Sequence, residues 1–214
     1  MSNTMTTSPF PESKGTSAHG FSLIELMIVV AIVSILAAIA VPEFVKMVAS
    51  TRVKSATADL VADLAFARAE AIKRGVRVGV ARANDAWVGG WLVFLDTGKD
   101  GYTVGDPILK TAHPPLAGST VSAGTVTSTS SAIMMCTKVR LGGNATKTAI
   151  DAFTYGGDGR LRVYLGTEDR TAHVGAVSIT SPANTGAGGA RLVVLGPTGR
   201  VSVDTSLAAG ERCS

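Results

Sequence analysis

Residues 20–44, GFSLIELMIVVAIVSILAAIAVPEF, constrain this chain most: an apolar run interrupted by one carboxylate, Glu25, and followed by Pro42 and the aromatic Phe44. From Phe21 to Val41 an α-helix rising ~1.5 Å per residue covers about 30 Å, the hydrocarbon thickness of a bilayer. The run is long enough to span a membrane and too long for an ordinary core helix. A cleaved secretory signal has a shorter apolar stretch followed by small residues, and Ala37-Ala38-Ile39-Ala40 is the available site of that kind. Glu25 argues against that reading. A carboxylate one turn inside an apolar segment costs about 2–3 kcal/mol to insert and calls for a partner. A cation carried by another segment of the same kind supplies one.

Gly20-Phe21-Ser22-Leu23-Ile24-Glu25 resembles the class III signal of type IV pilins and pseudopilins, in which prepilin peptidase cuts after the glycine and the new N-terminal aromatic is N-methylated. The resemblance implies that Gly20 precedes the cut, Phe21 becomes the N-terminus, and Glu25 is the fifth mature residue. It gives Glu25 a role beyond that of a carboxylate tolerated near the interface. Glu25 would neutralise the amino group of Phe21, in its own chain or a neighbour's, as helices bundle into a filament. Unpaired, each charge costs several kcal/mol in an apolar bundle, so pairing selects one axial stagger.

This division assigns residues 1–20 to a removed leader and 21–42 to a membrane and filament-core half-helix. Residues 43–214 then form one periplasmic globular domain that includes the amphipathic half of the helix. The Ser/Thr/Pro-rich residues 1–19 have too little apolar content to pack. The only two cysteines, Cys136 and Cys213, both fall in the part outside the cytoplasmic membrane, where such a pair reads as one disulfide. Its loop closure is worth at most about 4 kcal/mol. The formal charge of +4 permits contact with nucleic acid or anionic surfaces without requiring it.

Past Pro42 the helical pattern continues. Phe44, Val48, Leu60, Leu64, Ala67 and Ala71 recur at helical spacing, while Arg52, Lys54, Asp59, Asp63, Arg68 and Lys73 fall largely elsewhere. Gly75 after Lys73 and Arg74 is a C-terminal stop. Pro42 lacks an amide, so a kink or local unwinding is expected there. Beyond Gly75 the period falls to two, with strands expected near 76–80, 91–95, 107–112, 133–141, 152–155, 161–165, 174–181, 191–195 and 201–204. Residues 118–132 read equally as an exposed strand or a loop. Two units look alike, GGDGRLRV at 156–163 and GPTGRVSV at 196–203, and tight turns with the same chemistry explain both. The expected fold class is α+β: a long N-terminal helix, apolar in front and amphipathic behind, packed on an antiparallel sheet.

Several phrases narrow the resemblance to the GspH/FimT family of minor pilins: residues 64–74, LAFARAEAIKR; Trp91–Leu95 leading into Asp96-Thr97-Gly98-Lys99-Asp100-Gly101; Phe153-Thr154-Tyr155-Gly156-Gly157-Asp158-Gly159-Arg160; and Gly196-Pro197-Thr198-Gly199-Arg200-Val201. The resemblance implies a minor pilin that initiates type IV pilus assembly at or near the tip, with other minor and major pilins and prepilin peptidase as partners. It would sit in the bacterial inner membrane, single-pass, before entering the filament. Ala40-Val41-Pro42-Glu43-Phe44 resembles the pilus branch. The alternatives are a minor pseudopilin of type II secretion and a DNA-binding pilin of natural transformation.

For the last, Gly159-Arg160-Leu161-Arg162 has the Gly-Arg-x-Arg pattern reported for DNA-receptor relatives, with Arg200 at the second turn and Lys138 and Arg140 as further cations. Asp96, Asp100 and Asp106 among glycines are candidate calcium ligands, although they do not follow the EF-hand spacing and Asp/Gly turns form without metal. No other cofactor is expected. Nothing points to an enzyme: His113 and His173 stand apart, and Gly186-Ala187-Gly188-Gly189 lacks the strand-turn-helix setting of a nucleotide loop.

Overall fold

The computed structural model describes residues 21–83, 87–110, 119–122, 125–128, 134–141, 144–147, 150–165, 168–169, 174–181 and 189–205. Helix α1 covers Leu23–Arg74 and contains Pro42 without interruption. The expected local unwinding at Pro42 is absent, because a proline forfeits only one hydrogen bond of the ladder and the turns on either side retain theirs. The chain divides into two compact units, residues 1–41 and 42–214.

In the first unit, every described side chain of the helix is exposed, Phe21, Ile24, Ile28 and Leu36 among them. The helix is long and apolar enough to cross a membrane. Its first turn closes with the Leu26 N–H donating to the Ser22 carbonyl at 3.2 Å. Ser22 and Glu25 have the Ser-x-x-Glu spacing of a capping box, which places a carboxylate at the positive end of the helix.

In the second unit the rest of α1 meets two antiparallel sheets. The first has the order β10(Glu168–Asp169), β9(Leu161–Leu165), β8(Ala152–Tyr155), β1(Val78–Arg82), β2(Trp91–Leu95), β3(Ile108–Lys110). The second runs β13(Val201–Asp204), β12(Ala190–Leu195), β11(Val174–Thr180), β6(Met134–Leu141), β7(Asn144–Lys147). Within the stretch left open between strand and loop, a separate hairpin of β4(Ser119–Ser122) and β5(Thr125–Ser128) forms among the described residues. The short strands β7 and β10 had no sequence counterpart, since neither has a period-two apolar pattern long enough to register.

One core joins the helix to both sheets. Val53, Ala56, Leu60, Leu64, Ala67 and Ala71 pack with Val78, Val80, Trp91, Phe153 and Tyr155 of the first sheet and Val177, Ile179 and Val193 of the second. Complete burial of each Leu or Val is worth about 1.5–3 kcal/mol, so this stripe fixes which face of the helix turns inward. The buried stripe begins at Ala49. Phe44, expected to start it, is 65% exposed, and Val48 is only partly covered. Strands of the first sheet alternate: Trp91 and Val93 enter the helix-side core, and Leu92 and Phe94 a second cluster with Ala81, Ala152 and Tyr164.

Candidate functional site

Phe21 is 81% exposed and Glu25, in the first turn of α1, is exposed as well. Gly20 and the remainder of the leader lie outside the described residues, as does Cys213. Cys136 sits in β6 opposite Ser178 of β11, and nothing further of the expected disulfide falls within the described residues.

The two similar turns become one feature in space. In the first, the Gly156 N–H donates to the Arg160 carbonyl at 3.0 Å and the Gly159 N–H to the Gly156 carbonyl at 2.8 Å; in the second, Gly196 to Arg200 and Gly199 to Gly196, both at 2.9 Å. Gly159 and Gly199 have φ of 73° and 79°, the left-handed region that glycine enters without a Cβ penalty. The turns, from different sheets, then touch. The Leu161 N–H donates to the Pro197 carbonyl at 3.1 Å, and a Cβ at Gly199 would lie 2.1 Å from the Gly159 carbonyl oxygen. Arg68 of α1 bridges to the second turn by donating to the carbonyls of Gly199 at 3.0 Å and Thr198 at 3.2 Å.

This arrangement sorts the candidate arginines. Arg160 and Arg200 leave adjoining turns, both exposed, whereas Arg162 is half-buried on β9. Arg162 lines a cleft of about 490 Å³ at the end of α1 together with Arg77, Asp96, Lys99 and Asp158. Lys138 and Arg140 belong to β6 in the other sheet.

The three aspartates of the 96–106 loop have distinct roles. Asp106 accepts from the N–H and hydroxyl of Thr103 at 2.9 and 3.0 Å through one oxygen, and from those of Thr97 at 3.3 and 2.7 Å through the other. Burial works against its charge, but those donors outweigh it and hold the carboxyl below the usual range. Asp96 is buried and accepts from the Asp100 N–H at 3.2 Å. Burial pushes its carboxyl up, against the opposing pull of Arg77 and of neighbouring amides. Among the described residues, no group of three or more such side chains is placed to hold a metal ion. Both oxygens of Asp106 and one of Asp96 thus accept hydrogen bonds from within the loop and brace it.

One important residue escaped the sequence reading. Asp63, counted among the outward charges of the helix, is 3% exposed. Its Oδ2 accepts from the Trp91 Nε1–H of β2 at 2.8 Å, and its Oδ1 pairs with Lys110 of β3. The available signal was its position one residue before Leu64 and three after Leu60, on the buried side of the helix.

Comparison with known proteins adds lineage to this geometry. The family model described as Type II transport protein GspH matches residues 56–207, more than half of the chain. The chain belongs to the GspH family. The prokaryotic N-terminal methylation motif matches residues 16–41, across the apolar helix of this GspH-family chain. Two crystal structures of the type IV minor pilin FimU from Pseudomonas aeruginosa (strain PAO1) are similar at 16% identity. In one crystal form the TM-score is 0.47, with 72% of this chain and 89% of the other covered; in the second it is 0.45, with 71% and 91%. No curated protein matches the chain. The α+β fold read from the sequence, a long N-terminal helix packed on antiparallel sheets, is the fold observed.

Proposed function

We propose that this protein is a minor pilin of a type IV pilus. It enters the inner membrane by its apolar helix with residues 43–214 on the periplasmic side, is cut by prepilin peptidase between Gly20 and Phe21, and is methylated on Phe21. It then joins other minor and major pilins at or near the tip, where it helps to start assembly. The observation that carries this reading is the methylation motif on an apolar helix whose described side chains are all exposed. Such a surface is stable in lipid and, after extraction, needs other apolar helices as its solvent. Glu25 neutralises the new amino group of Phe21 and sets the axial register.

The test replaces Glu25 with Ala in the host strain and compares processing with incorporation into sheared pili. Processing proceeds and incorporation is lost; a variant that enters pili normally overturns the role of Glu25. Membership of the family described as type II transport protein GspH favours a second reading, a pseudopilin of type II secretion. Deleting the gene separates the two: loss of surface pili supports the first, and loss of enzyme export with intact pili supports the second. A DNA-receptor role rests on the adjoining Arg160 and Arg200 turns. Unchanged DNA affinity across a salt series after replacing Arg160, Arg162 and Arg200 with Ala removes it.

A further inference from the structure

The cleft at the end of α1 is bordered by a residue in an unfavourable backbone conformation. Lys99 is the one non-glycine among the described residues with a positive φ, 62°, a region that a side chain enters only at an energetic cost. A glycine at this position would avoid that cost. Such conformations persist where their surroundings impose them, and they gather at binding sites. Here the Lys99 carbonyl accepts from Arg77 Nη1 and from the Tyr164 hydroxyl, both at 2.9 Å, while the exposed Lys99 side chain borders the cleft.

Arg77 is the second half of the feature. Its Nη1 also donates to the Tyr164 hydroxyl at 2.8 Å, so both side-chain bonds of this half-buried arginine run through one nitrogen. The Nε–Nη2 edge is left without a partner among the described residues, and that edge is the fork that meets a carboxylate bidentately. The nearby acids do not take it. Asp96 spends Oδ1 on the Asp100 N–H and its Oδ2 is enclosed, and Asp158 accepts from the Arg160 N–H of its own turn at 3.1 Å. With Arg162, the cleft of about 490 Å³ is lined by three cations against two carboxylates, which leaves one positive charge over.

We propose that this cleft receives the carboxylate of an acidic side chain from a neighbouring filament subunit, held by the fork of Arg77 and the ammonium of Lys99. The inference rests on the minor-pilin reading and adds to it a polar contact point on the folded domain. One surplus positive charge suits a monoanion such as Asp or Glu, whereas a phosphate dianion would stand uncompensated beside Asp96 and Asp158. The fork is also preorganised. The Lys99 carbonyl and the Tyr164 hydroxyl fix Nη1 before any ligand arrives, so little side-chain freedom is lost on binding.

The experiment uses the full chain in its host. Sheared filaments are treated with a carbodiimide, which condenses an ammonium with a carboxylate in contact with it to an amide and releases water, and cross-linked peptides are identified by mass spectrometry. The expected product joins Lys99 to an Asp or Glu of another subunit. Arg77→Gln lowers its yield by about tenfold. Lys99→Gly is the companion variant whose folding is not at risk, because glycine enters the left-handed region freely. It unfolds at no lower temperature than the parent, and its incorporation into filaments falls by about threefold. If the chain is in the filaments but Lys99 joins only carboxylates of its own chain, or none, or the product forms equally well in Arg77→Gln, the cleft assignment is refuted and the minor-pilin reading stands. Incorporation of Lys99→Gly at the parent's level refutes it likewise. If the chain is absent from filaments, the minor-pilin reading itself fails and the inter-subunit site falls with it.

Discussion

Replacing Lys110 with Met removes the cation that neutralises Asp63 and leaves a carboxylate that is 3% exposed, with the Trp91 indole N–H as its remaining partner in that network. Stranding a buried charge costs about 3–5 kcal/mol. Asp63→Asn is milder. The amide oxygen still accepts from Trp91, and the Lys110 side chain, already 52% exposed, turns to water. The loss then approaches that of one hydrogen bond to a charged group, about 1.5–3 kcal/mol. The double variant should cost less than Lys110→Met alone, since no anion remains, so the coupling energy exceeds the cost of Asp63→Asn and is about 3 kcal/mol. Urea unfolding of the detergent-solubilised full chain, followed by tryptophan fluorescence, reads all three because Trp91 is part of the network. If Lys110→Met costs no more than Asp63→Asn, water reaches the carboxylate and the pair does not lock the helix to the sheet.

Two glycines in the left-handed region predict unequal penalties. Gly75, with φ of 67° and no atom within 4 Å of a built Cβ, should lose about 1 kcal/mol on substitution by Ala. Gly199, facing the Gly159 carbonyl, should lose about 3 kcal/mol or more in the same assay. The loop aspartates predict opposite pH dependences. The lowered carboxyl of Asp106 contributes stability above its unfolded value near 4, and this is lost as pH falls through the folded value, so Asp106→Asn flattens the acid limb. The raised carboxyl of Asp96 contributes fully below its unfolded value and loses that contribution as pH rises through the folded one. Asp96→Asn should therefore gain stability at neutral pH.

The elements that sequence patterns captured are those whose physics is local. The apolar run, the Gly75 stop and the period-two strands 91–95, 152–155 and 161–165 each depend on side chains a few residues apart. What sequence patterns missed depends on neighbours distant in the chain. Asp63 reads as one more outward helix charge until Trp91 and Lys110 arrive from two strands. Phe44 has the correct helical spacing, yet the sheets do not reach that far along the helix. The two Gly-Arg turns are visibly alike, but Gly159 meets Gly199 only through contacts between the two sheets, the Leu161 N–H to the Pro197 carbonyl among them. The 96–106 aspartates read from composition as turn residues or calcium ligands, and the bracing of Asp106 by Thr97 and Thr103 depends on how the loop folds back on itself.

The central claim is that residues 20–44 form a processed pilin helix and not a permanent anchor or a discarded signal. Mass spectrometry of the N-terminal peptide of the mature chain, isolated from cells with an active prepilin peptidase, tests it most directly. The expected peptide begins at Phe21 and carries one N-methyl group. A chain that retains residues 1–20, or one that begins after Ala40, contradicts the claim.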